Sequence, residues 1–133
     1  MHSLEDYALW VERVIGESGA RPADGVLHVQ DLRSNADEVV GLMCEPQDLV
    51  FSDDTVLRFD LLVAAQDLVV RQYHFDHRTT AGQLIWQLDK HEGHERVVGG
   101  LNHVHVASQD QVRPADEVDI EEAIRRVRDH WKA

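Results

Sequence analysis

Residues 55–77, "TVLRFDLLVAAQDLVVRQYHFDH", decide how this chain folds. Apolar and polar residues alternate with a period of two, which is the spacing of a strand with one buried face. In "VLRFDLL", Leu57, Phe59 and Leu61 fall on one side, and Arg58 and Asp60 on the other. In "RQYHFDH", Tyr73 and Phe75 point one way, and Gln72, His74 and Asp76 the other.

The same alternation spreads outward from Val26 to Ser108. "VLHVQDL", "EVVGLMCE", "LIWQLDKH" and "HVHVAS" are short, rich in branched and aromatic residues, and separated by "RSNAD", "FSDD", "TTAGQ" and "GG". Connections this short require antiparallel pairing between most neighbours. In the later strands Leu84, Trp86, Leu88, Val104 and Val106 are expected inward, leaving Gln87, Asp89, His103 and His105 outward.

The ends of the chain have helical spacing instead. Ser3 and Asp6 form a capping pair ahead of a stripe of Leu4, Tyr7, Ala8, Val11, Val14 and Ile15, with Gly16, Gly19 and Pro22 as stop signals. Asp119 and Glu122 cap a second helix with Ile120, Ala123, Ile124, Val127 and Trp131 on its apolar face. Arg125, Arg126, Arg128 and Lys132 lie near its C-terminal end, where cations oppose the helix dipole favourably. The expected fold is α+β: an antiparallel sheet of about five to six strands, with the N-terminal and C-terminal helices packed on one face. With 133 residues and no repeat or linker, residues 1–133 read as a single domain.

Composition restricts function. Hydrophobic residues make up 43% of the chain and charged residues 29%, as in an ordinary globular protein. No apolar run approaches the roughly 18–20 residues that span a bilayer, so no membrane partner is expected. "MHSLEDYALW" lacks the features of a secretory signal, and a cytoplasmic location is expected. The single cysteine, Cys44, lies in an apolar run and reads as a buried thiol. The net charge of −12, with two lysines and eleven arginines against fifteen aspartates, disfavours general binding to nucleic acid. Such acidity accords equally with a GC-rich genome and with a salt-loving host.

Four histidines, His91, His94, His103 and His105, fall within fifteen residues. His91 and His94 read as turn residues after the Asp89 strand, whereas His103 and His105 lie on the strand leading back. The expected polar face thus carries Arg58, Asp60, His74, Asp76, Asp89, His103 and His105. Three uses are open to it. As a metal site, His103, His105, His74 and Asp89 would be the ligands. The His-x-His pair resembles the cupin motif without its following glutamate, and "HEGHE" is not the zincin spacing. The set also lacks cysteine and a closed four-ligand spacing, so no permanent structural metal is favoured. As an acid–base site, a histidine beside an aspartate would transfer protons while Arg58 stabilises charge on a phosphate. As a plain interaction face, it would pack against another chain, including a second copy in a homodimer.

The order of elements from Arg71 to Trp131 adds a family resemblance. A strand "YHF", a strand with "W-x-L-D", then "HEGH", "HVH" and the capped helix "VDIEEAIRRV" resemble TumE-type proteins, small bacterial and archaeal toxins of toxin–antitoxin pairs. The matching positions are Tyr73, Trp86, Asp89, His91, His94, His103 and His105. In place of the family's proline-rich spacer this chain has "ERVVGGLN". The resemblance implies a toxin with a small antitoxin-like partner and an RNA substrate, in which His91, His94, His103, His105, Asp89, His74 and Arg58 would carry the chemistry.

Overall fold

The computed structural model describes residues 1–91, 102–105 and 112–131, with backbone alone at 103 and 112–114. The elements run α1 (Leu4–Ser18), β1 (Arg21–Pro22), β2 (Val29–Arg33), β3 (Val39–Val50), β4 (Val56–Ala64), β5 (Val70–Arg78), β6 (Leu84–His91), β7 (Asn102–His105), β8 (Val112–Pro114) and α2 (Ile120–Arg128). All pairings are antiparallel, and β3 to β8 lie side by side in sequence order. This is the expected α+β architecture, with eight strands among the described residues. The additional strands are β1 and β8, of two and three residues, too short to show a period in sequence.

The strand β3 is longer than the run that announces it. "EVVGLMCE" stops before Pro46, which cannot donate to a ladder. The strand nevertheless continues to Val50, because the register shifts between Cys44 and Gln47 and a bulge absorbs Pro46. Gln47 is buried at this bulge and supplies the bonds that the ladder loses. Its Oε1 accepts from the His28 backbone N–H at 2.8 Å, and its Nε2 donates to the carbonyls of His28 and Glu45, each at 2.8 Å. On either side of the bulge β3 changes edge partner, from β2 to β1.

Both helices begin as the sequence predicts. Ser3 Oγ accepts from the Asp6 N–H at 3.1 Å, and Asp119 Oδ1 accepts from the Glu122 N–H at 2.8 Å. Gly16 lies within α1, and Gly19 closes it at φ 78°, a left-handed conformation suited to glycine. Tyr7, Val11, Val14 and Ile15 of α1 join Ile120, Ala123, Ile124 and Val127 of α2 in one core. Opposite them lie Leu57, Phe59, Leu61, Val63, Tyr73, Phe75, Trp86, Leu88 and Val104, the inward set of β4 to β7. Full burial of an aliphatic or aromatic side chain contributes roughly 1.5–3 kcal/mol, so this shared layer fixes which sheet face the helices cover. Trp131 packs edge-on against Trp86 with centroids 5.7 Å apart, and the Arg126 guanidinium stacks 4.4 Å from the Trp131 ring.

Polar groups that reach the core side carry their own partners. The Tyr73 hydroxyl donates to Asn102 Oδ1 at 3.0 Å and accepts from the Val118 N–H at 3.2 Å, tying the approach to α2 onto the sheet. Lys90, buried after Trp86 and Leu88 on the same face, donates to the Val70 carbonyl at 2.7 Å and pairs with Glu117. Cys44 is fully buried, and burial, with the nearby charge of Asp60, pushes its thiol up to about 12. No helix among the described residues is long and apolar enough to cross a membrane.

Candidate functional site

The sheet face away from the helices gathers the charged residues through strand register. Asp60 on β4 lies directly across from His74 on β5, and His74 directly across from Asp89 on β6. Asp89 in turn pairs with His103, and Gln87 with His105, both on β7. A side-chain period of two then keeps Asp60, His74, Asp89 and His105 on one face.

Within that row His74 is held between carboxylates. Its Nδ1 lies 2.5 Å from Asp89 Oδ1, and its Nε2 lies 3.7 Å from Asp76 Oδ2. Asp89 also accepts from Gln87 Nε2 at 2.9 Å and faces His105 Nε2 at 3.1 Å. Asp76 is buried beneath the Arg78 guanidinium, whose Nε lies 2.8 Å from Asp76 Oδ1. The sequence places Asp76 on the solvated face, but the Arg78 fork and the His74 ring cover it.

These contacts set the charges. Burial alone would make His74 easier to deprotonate, but the Asp76 carboxylate beside it, the hydrogen bond to Asp89 and the charges of Asp89 and Asp60 outweigh it, pushing the imidazole up to about 10. Burial likewise opposes ionisation of Asp89 and Asp76. The His74 imidazolium, joined by Gln87 at Asp89 and by Arg78 at Asp76, still holds both carboxyls below the usual range. Asp60 goes the other way. Burial raises its carboxyl, and the negative charge of Asp89 adds to the effect beyond what His74, Arg58 and His91 return. His74 is therefore a fixed imidazolium near neutrality, which changes its expected part in proton transfer.

Beside this row a depression of about 490 Å³ opens on the same face, with Arg58, Asp60, His74, Asp89 and His91 among its lining residues. Arg58 is half-exposed and lies 3.4 Å from Asp48 on β3. His91 is the last residue of β6 and is exposed; it extends the Gln87–Asp89 face instead of sitting in the turn that the sequence suggests. The strand simply runs on to pair His91 with Gln72.

Of the sequence-predicted site residues, Arg58, His74, Asp89 and His91 thus line one depression, and His105 touches Asp89 from the next strand. His94, Gly99, Gly100 and Val106 lie outside the described residues, as does the side chain of His103. Among the described residues no group of three or more His, Cys, Asp or Glu side chains could hold a metal ion.

Sequence reasoning overlooked His77. It continues the Tyr73–Phe75 row into the core, where it is buried with its ring 5.4 Å from that of Trp86. Neither ring nitrogen has a hydrogen-bond partner among the described residues. Burial drives its imidazole below the ordinary histidine value. The period-two rule that placed Tyr73 and Phe75 inward applies equally to His77. No family model, curated protein or solved structure matches this chain.

Proposed function

We propose that this chain is a toxin-like protein of the TumE type, which cleaves RNA on the open face of its sheet and is neutralised by a small antitoxin-like partner. The observation that supports this reading is the meeting of Arg58, Asp60, His74, Asp89 and His91 around one solvent-open depression. Attack of a 2′-hydroxyl on its phosphate needs positive charge beside the phosphoryl oxygens and groups that take and give a proton. Arg58 and the charged His74 offer the first, and His91 can give a proton to the leaving oxygen. Asp89 and His105 fix the orientation of His74.

Expression of the wild-type chain without its partner is expected to slow growth of the host and to degrade RNA. At equal soluble protein, His91→Ala and His105→Ala should relieve both effects. Unimpaired growth with intact RNA in the wild-type case would sink the reading. One feature favours a second use of the face, as a non-catalytic interaction surface: a locked imidazolium recognises an anionic group better than it shuttles protons. Binding of a partner with no RNA cleavage by the purified protein would support that alternative.

A further inference from the structure

We infer that Asp60 is the general base of this site, taking the proton from the attacking hydroxyl; this rests on the RNA-cleaving reading above. Three aspartates, Asp60, Asp76 and Asp89, surround His74, and two of them are already engaged. Asp76 is bound by Arg78, and Asp89 by His74, Gln87 and His105. Among the described residues Asp60 alone of the three has neither a hydrogen bond nor an ion pair, although it is partly buried and lines the depression. A half-buried carboxylate with no partner weakens the fold, and such a group in a cleft marks a functional position. His74, the residue that the sequence would nominate, has both nitrogens directed at carboxylates and keeps its proton.

The surroundings of Asp60 suit a base. From β3 come the Pro46 bulge and the buried Cys44, from its own strand Arg58, from β5 His74, and from β6 Asp89 and His91. Burial and the Asp89 charge raise its carboxyl above the ordinary value, so it accepts a proton more readily than a solvated aspartate. In the step, O2′ passes its proton to a carboxylate oxygen of Asp60 as its electron pair forms the new bond to phosphorus. The bond from phosphorus to O5′ breaks, and the departing oxygen takes a proton from the His91 imidazolium. The products are a 2′,3′-cyclic phosphate and a free 5′-hydroxyl. Solvent then returns the proton from Asp60 to His91.

The test uses the full chain and a labelled oligoribonucleotide, with an uncleavable 2′-deoxy analogue to report binding. Asp60→Asn is expected to lower kcat on the order of 10²–10⁴-fold. Affinity for the analogue should stay within about twofold, as when an interaction is made only in the transition state. The melting temperature should hold or rise, since no bond to Asp60 is lost. Asp60→Glu should keep a measurable rate, and the acidic limb of the wild-type pH–rate profile should disappear in Asp60→Asn. Wild-type kcat and an unchanged acidic limb in Asp60→Asn would overturn the assignment and leave the cleavage reading standing. A lowered melting temperature with equal loss in Asp60→Glu would make Asp60 structural and overturn it too. A wild-type protein that cleaves no RNA would bring down both.

Discussion

Two histidines three residues apart illustrate how neighbours set a charge. His74 lies among carboxylates and is pushed up to about 10, whereas His77 is buried without a hydrogen-bond partner among the described residues and falls below its ordinary value. Their effects on stability therefore have opposite signs. An unfolded histidine titrates at about 6.5, so the His74 contribution is complete below that pH and is lost as pH rises towards about 10. For His77 the unfolded chain gains a proton that the fold refuses, so stability declines as pH falls below about 6.5. Urea denaturation at roughly pH 5, 7 and 9 should show both limbs. His74→Gln is expected to flatten the alkaline limb. His77→Phe should flatten the acidic one and leave neutral stability within about 1 kcal/mol, since it removes no hydrogen bond. A steeper acidic limb in His77→Phe would show that the ring is bonded in solution.

At the scale of elements, the close approach of β3 and β4 depends on Gly41. A Cβ there would stand 2.8 Å from the Val63 carbonyl oxygen, a backbone atom that cannot turn aside. Gly41→Ala should separate the two strands and cost about 1–3 kcal/mol, as overpacking does elsewhere. The midpoint of urea unfolding checks this, and a shift below about 0.3 kcal/mol would show that the pair has slack there. The outcome matters for the site because Asp60 precedes Val63 on β4 and the Pro46 bulge follows Gly41 on β3. Local pattern revealed β4, β5 and β6 almost to their ends because each has several alternating residues. The continuation of β3 past Pro46 was not legible, since it depends on Gln47 bonding to His28, nineteen residues away.

Across the whole molecule the net charge of −12 opposes compaction. Raising KCl from about 0.1 to about 1 M shortens the Debye length from roughly 10 to 3 Å and should raise the melting temperature. The local ion pairs will weaken over the same range, but most lie at exposed positions where such pairs contribute little. A melting temperature that falls steadily with salt would mean that these pairs outweigh the net repulsion. A steep rise would accord with a salt-loving host.

By itself the sequence determined the helix–sheet–helix order, the capped helix starts and the two faces of the central strands. Those features follow from local periodicity and short-range hydrogen bonding, which a linear chain displays. It also placed Arg58, His74, Asp89 and His105 on one face, because each strand turns its alternate apolar residues to the core and leaves the others together on the opposite side. Only the tertiary structure decided which residues stand opposite one another. Register put Asp60 against His74 and His74 against Asp89. From that came the locked imidazolium, the Asp60 carboxylate without a hydrogen bond among the described residues, and the buried Asp76. Register is set by turns, bulges and packing across the whole sheet, and no short window of sequence contains that information.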